Sequence, residues 1–237
     1  MLATLLLREN HFMSLKELIR RYALEELGFD FAGFASAEEY KDYTKPWVRT
    51  IVVLGLEAWD DVFDMVIFRA RGGGFDIYYV YEEVMAEKAL KLCIYLRDLG
   101  FRAEHEPYGL PLKQVAVKAG VGCYGKNSMI INPVYGSRLR LTSVVTDAIV
   151  EPDAPFERDL CGECDACIRA CPLYAIREPY KIDPRRCVNS LAPPSRDVDA
   201  DVLEVAPELL KRPTENSIIL CSMCQAVCPY NRRAKDF

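Results

Sequence analysis

The chain has 237 residues, 51% of them hydrophobic, enough to pack one large domain or a medium one joined to a small one. Its net charge of −5 argues against a broad nucleic-acid surface, and with it against extensive tRNA binding. No apolar stretch is long enough to span a membrane, and the opening MLATLLLREN lacks a signal peptide's layout, so a cytoplasmic, reducing location is expected.

Along the chain, SLKELIRRYALEEL (14–27) reads as a helix. Ser14 and Glu17 form a capping box, Leu15, Leu18, Ile19 and Tyr22 share a face, and Gly28 stops it. FAGFA (31–35) and TIVVLGL (50–56) read as short buried strands. A turn at Gly72–Gly74 precedes a long helix over about 79–99, ended by Gly100. FRAEHE (101–106) is a strand candidate and about 111–119 a short helix; SMIIN (128–132) and LRLTSVVT (139–146) follow as strands. EPDAPFERD (151–159) has the composition of a linker. These elements make an α/β or α+β domain over residues 1–150, before a cysteine-rich part over 151–237.

Gly120, Gly122 and Gly125 spell G-x-G-x-x-G, but a helical stretch precedes them and a strand follows, the reverse of a dinucleotide-binding turn. Asn127 stands where a P-loop needs Ser or Thr to hold magnesium. Neither nucleotide motif survives. Three glycines beside Lys126 and Asn127 still suggest backbone brought close to a ligand, with a tight packed turn as the alternative.

Eight of the ten cysteines lie in the last third, as Cys161, Cys164, Cys167 and Cys171-Pro172, then Cys187 with Cys221, Cys224 and Cys228-Pro229. Three closely spaced thiolates wrap one cubane, and the C-P cysteine is carried on to the other. The crossed assignment gives Cys161, Cys164, Cys167 and Cys228 to one 4Fe–4S cluster. Cys171, Cys187, Cys221 and Cys224 hold the second, with residues 188–220 inserted after Cys187. Zinc would favour paired C-x2-C knuckles, and disulfides would need an oxidising compartment. Cys93 reads as a buried small hydrophobe.

The stretch VAVKAGVGCYGKNSMIINPVYGSRLRLTSVVTDAIVEPD (115–153), taken with both cysteine runs, resembles the epoxyqueuosine reductases and, more distantly, the reductive dehalogenases. The resemblance rests on Ala119–Gly125, Lys126, Asn127, Tyr135, Gly136, Arg138, Leu141, Thr146 and Asp147. It implies a nitroreductase-like cobalamin-binding domain followed by a ferredoxin-like domain with two clusters. The corrinoid would sit base-off, with Gly120, Gly122, Gly125, Lys126, Asn127, Tyr135, Gly136 and Arg138 near it. A low-potential donor of ferredoxin or flavodoxin type would supply electrons, and a small organic substrate or a partner corrinoid protein would accept them. The family's acidic proton donor falls on Glu106, with Glu104 its neighbouring candidate; His105 reads as structural or exposed. Relatives that modify tRNA continue into a helical-repeat domain, so the resemblance is to a short member of the family. A cobalamin-free electron carrier and a reductive activator of another corrinoid protein remain open as alternatives.

Overall fold

The computed structural model describes residues 13–105, 109–191 and 198–231. Contacts divide the chain into two compact units: 1–56 with 85–122 and 140–157, and 57–84 with 123–139 and 158–237. The expected boundary at residue 150 thus departs from the spatial units, because two earlier segments fold with the cysteine-rich part.

The first unit begins with helix α1 (Leu15–Arg21), whose capping box forms as expected, Ser14 and Glu17 exchanging side-chain and backbone bonds. It runs on as a wider turn through Tyr22–Glu26, and Gly28 takes the left-handed conformation (φ +65°) that releases the chain. Strand β1 (Phe31–Ser36) pairs antiparallel with β2 (Thr50–Glu57), where Phe34 faces Val52 in register. All of β2 but its last residue is buried, as its continuous apolar run requires.

Helix α2 (Val80–Asp98) buries Met85, Ala89, Leu92, Cys93 and Leu96 on one stripe, and Gly100 ends it at φ +95°. Strand β5 (Ala103–His105), helix α3 (Leu112–Lys118) and strand β8 (Leu139–Thr146) complete the set, in a sheet ordered β1-β2-β8-β5. Gly33 is where α3 closes on β1: a β-carbon there would lie 2.3 Å from the Ala119 carbonyl oxygen.

The expected linker carries an anchor. Asp153 pairs with Lys16 (2.7 Å) and Arg20 (2.7 Å) and accepts the Phe34 N–H (2.9 Å), tying it to α1 and β1. Burial alone would raise this carboxyl; the bonds from Lys16, Arg20 and Phe34 outweigh it and hold it below the ordinary carboxylate value.

The second unit has its own antiparallel sheet, ordered β4-β3-β10-β9, from β3 (Met65–Arg71), β4 (Gly74–Tyr79), β9 (Lys211–Thr214) and β10 (Ser217–Ile219). The glycine turn expected at 72–74 is the tip of the β3–β4 hairpin. Its flanking strands, helix α5 (Ala200–Leu209) and the β9–β10 hairpin went unread in the sequence. The remaining elements are short: β6 (Cys123–Tyr124) pairs with β7 (Ile130–Ile131), and helices α4 (Ala166–Ala170) and α6 (Met223–Ala226) carry cysteines. A small core gathers Leu173, Val188, Val202 and Ala206, with Cys171 and Cys221 packed at its edge. Among the described residues, no helix is long and apolar enough to cross a membrane.

Candidate iron–sulfur centres

Both cysteine runs wrap cavities within the second unit. One cavity is lined by Cys161, Cys164, Cys167 and Cys228, with Asn127, Ile131, Leu160 and Tyr230. The other is lined by Cys171, Cys187, Cys221 and Cys224, with Asn127, Met129, Leu173 and Gln225. Each cavity is thus lined by four cysteines, three from one run and one from the other. Electrostatics couple the thiols mainly within each group, with Cys167 also acting on Cys224. Burial raises Cys167, and Cys161, Cys164 and Cys228 add to the effect by repulsion. Burial pushes Cys224 up to about 12, with Cys221, Cys187 and Cys171 as its leading charged neighbours.

A buried thiol with so high a pKa stays protonated until a cation takes the proton's place. Cluster iron meets that condition, since binding to it deprotonates the thiol. Among the described residues no three His, Cys, Asp or Glu groups converge on a single ion. A cubane asks for a different arrangement, with one thiolate to each of four irons and the sulfurs standing around a void. The donor set and the two lined cavities therefore fit 4Fe–4S clusters.

Local geometry shows why these residues hold such positions. Cys164 N–H bonds the Cys161 carbonyl (2.8 Å), closing the tight turn of the first run, and Asp159 accepts the Cys161 N–H (2.8 Å). Cys171 Sγ accepts the Ala175 N–H at 3.3 Å. Asn189 clamps Cys221 from both sides: its carbonyl accepts the Cys221 N–H (2.7 Å) and its amide donates to the Cys221 carbonyl (2.9 Å). That pair of bonds brings the end of the long insertion back beside Cys187. Arg186 donates to the Leu173 carbonyl (2.8 Å) and pairs with Asp199 and Asp201, fixing α5 to the Cys171–Leu173 segment.

The glycine loop splits. Gly120 (φ +72°) and the buried Gly122 belong to the first unit, where a β-carbon on Gly120 would lie 2.9 Å from the Ala154 carbonyl oxygen. Gly125 belongs to the second, with Ile131 2.6 Å from where its β-carbon would be. Lys126 N–H donates to Cys161 Sγ (3.4 Å), and its ammonium donates to the Gly162 carbonyl (2.6 Å). Asn127, 3% exposed, lines both cavities.

Further along, Tyr135 N–H bonds the Asn132 side chain (3.1 Å), and Arg138 donates to the Ala58 carbonyl (2.7 Å). Gly136 (φ +60°) packs so tightly on the segment after Cys228-Pro229 that a β-carbon would fall 1.9 Å from Asn231 Oδ1. Asn231 Oδ1 accepts the Ser137 N–H (2.8 Å), locking the two segments together. For Gly125, Lys126, Asn127, Gly136 and Arg138, expected near a corrinoid, these contacts stay inside the cluster-bearing unit. The Asn231–Ser137 lock and the Asn189 clamp were missed, since lone asparagines far from the cysteines carry no spacing signal.

Glu106, the expected proton donor, lies outside the described residues. Glu104 is described, and its carboxylate accepts two bonds from Lys45 (2.9 and 2.8 Å). His105 shares a 2.8 Å bond with Thr142, a structural role. Cys93 is a core residue, its thiol pushed up to about 11 by burial. Cys123 is likewise buried, and burial raises its thiol.

Comparison with known proteins agrees with this geometry. Residues 160–231 match the family model of a 4Fe-4S double cluster binding domain, a span that contains all eight cysteines. The chain is 33% identical over 166 residues to the epoxyqueuosine reductase of Listeria monocytogenes, covering 70% of this chain and 41% of that one. A crystal structure of epoxyqueuosine reductase with an epoxyqueuosine-modified tRNA-Tyr stem loop is similar at TM-score 0.68 and 26% identity, covering 94% of this chain and 66% of that one. A catabolic reductive dehalogenase in complex with 3-bromo-4-hydroxybenzoic acid shares the fold at TM-score 0.60 and 18% identity, over 86% of this chain and 30% of that one. The chain thus spans about two fifths of that curated relative's length.

Proposed function

We propose, from the premise that the chain belongs to the epoxyqueuosine reductase-like family, that it is an oxidoreductase delivering single electrons from two 4Fe–4S clusters to a base-off corrinoid. The observation that supports this reading best is the pair of cavities, each lined by four cysteines drawn from both runs. Cys161, Cys164, Cys167 and Cys228 would ligate one cluster, and Cys171, Cys187, Cys221 and Cys224 the other. Around them the protein aims N–H groups at thiolate sulfur, from Lys126 onto Cys161 and from Ala175 onto Cys171. Such bonds stabilise the extra negative charge of a reduced cluster and so set its potential.

A corrinoid, when bound, would supply the cobalt-centred reduction of an organic substrate, while the protein positions that substrate and delivers a proton. Glu106 is the proposed donor, and a nitroreductase-like first domain is the proposed seat. The substrate class named for the relatives is epoxyqueuosine, within tRNA in the neighbouring structure. Gly125 and Lys126 make the cluster-side contacts already described, while Gly120 packs on Ala154 in the first unit.

Anaerobic titration of the iron-reconstituted protein with cob(II)alamin, followed by EPR, tests the reading. A base-off cobalt signal saturating at one equivalent is expected. Unaltered free cobalamin beside two intact cluster signals would contradict the corrinoid part and leave a cluster-bearing electron carrier.

A further inference from the structure

Among the described residues Asn127 alone lines both cysteine cavities, and its amide has a fixed sense. Its Oδ1 accepts the Met129 N–H at 3.1 Å, which identifies the oxygen end. Its Nδ2 points the other way, to the Cys224 carbonyl at 3.5 Å. The position is held from several sides. Ser128, next in the chain, takes the left-handed conformation (φ +60°), and the turn closes through a Ser128 N–H bond to the Gly125 carbonyl (2.8 Å). Gly125 leaves the amide its room: a β-carbon there would sit 2.9 Å from Asn127 Oδ1.

The preceding residue serves the other cavity, where Lys126 N–H donates to Cys161 Sγ at 3.4 Å. One tight turn therefore presents a backbone donor to the Cys161 thiol and a side-chain donor to the backbone carbonyl of Cys224. The Asn127 amide is buried, where a dipole acts through low dielectric and little screening.

We propose that Asn127 is a positioning residue that biases the electron toward the cluster held by Cys171, Cys187, Cys221 and Cys224. Its amide turns the positive N–H end toward the Cys224 segment that lines that cavity and the negative oxygen end into the loop backbone. Added negative charge on that cluster is stabilised more than the same charge on its neighbour. The step concerned is transfer of one electron from one cubane to the other, with no bond made or broken. This inference rests on the reading that both cavities hold 4Fe–4S clusters.

The test is an EPR-monitored redox titration of the full chain, with each cluster's signal assigned by Cys164→Ser and Cys187→Ser. In Asn127→Leu the cluster of Cys171, Cys187, Cys221 and Cys224 should shift to a more negative potential while the other moves less. Asn127→Asp keeps the shape but replaces the donor with a carboxylate oxygen, and should shift the same cluster further in the same direction. Iron content equal to that of the unmodified protein shows that both clusters are assembled. Equal shifts of the two clusters, or none in Asn127→Asp, would overturn the inference and leave the cluster assignment standing. An unmodified protein without two cubane signals would overturn that assignment and the inference with it.

Discussion

The two units of this chain are held together by different means. The first has an eight-residue strand, β2, buried almost throughout, and a 19-residue helix that buries a full stripe. The second has helices of five and four residues around its cysteines and two-residue strands in the loop beside them. Helices that short are marginal without tertiary support, and among the described residues the apolar core beside Cys171 and Cys221 has four buried members. Unit one can fold on apolar burial; much of the cohesion of unit two must come from what its cysteines hold.

The largest effect expected from this contrast follows removal of iron. Anaerobic chelation should strip amide hydrogen-exchange protection from residues 158–231 while β1, β2 and β8 keep theirs. Equal loss in both units would break the comparison. Next come two glycines where a β-carbon has no room. Gly136→Ala should destabilise the second unit by about 3 kcal/mol, combining left-handed strain with overlap on Tyr230 and Asn231, and should lower iron retention. Gly33→Ala should destabilise the first unit by a similar amount, roughly 2–3 kcal/mol, with the cluster spectra unchanged. Iron loss in both variants alike would show that the units do not stand apart.

A smaller effect sharpens the same contrast. Asp153→Asn should cost the first unit roughly 2 kcal/mol at neutral pH, by loss of its bonds to Lys16 and Arg20. The sign follows from a carboxyl that folding lowers. Its contribution is fully present above the unfolded value near pH 4 and disappears as pH falls through the lower folded value. Acid unfolding followed by circular dichroism should therefore show the variant and unmodified protein converging in stability at the acid end. A stability difference that stays constant down to pH 2 would exclude the linkage.

Much of the first unit was legible because its signals are local. Ser14 and Glu17 sit three apart, β2 is a continuous apolar run, β8 is half β-branched, and Gly28 and Gly100 follow the helices that they end. The β3–β4 hairpin was half-read: the glycines marked the turn, but β3 exposes most of its C-terminal half and shows no clean alternation. The β9 strand KRPT is wholly exposed and contains proline, a composition that reads as loop. Pairing of Ser217 with Ile67 joins segments 150 residues apart, and nothing local announces it. At the site, the cysteine spacing carried the two groups of four that line the cavities, because a cubane needs its thiolates so spaced. The neighbours that hold those cysteines, Asn189 and Asn231, act through single side-chain amides without a repeating pattern.

The crossed ligation is the central claim, and ligand variants read by EPR on the dithionite-reduced, iron-reconstituted protein test it most directly. Cys171 stands in the first run but lines the cavity of Cys187, Cys221 and Cys224. Cys171→Ala should therefore abolish the same cluster signal as Cys187→Ala, and leave the signal that Cys161→Ala and Cys228→Ala remove. Loss of the Cys161 signal in Cys171→Ala, with the Cys187 signal intact, would contradict the account.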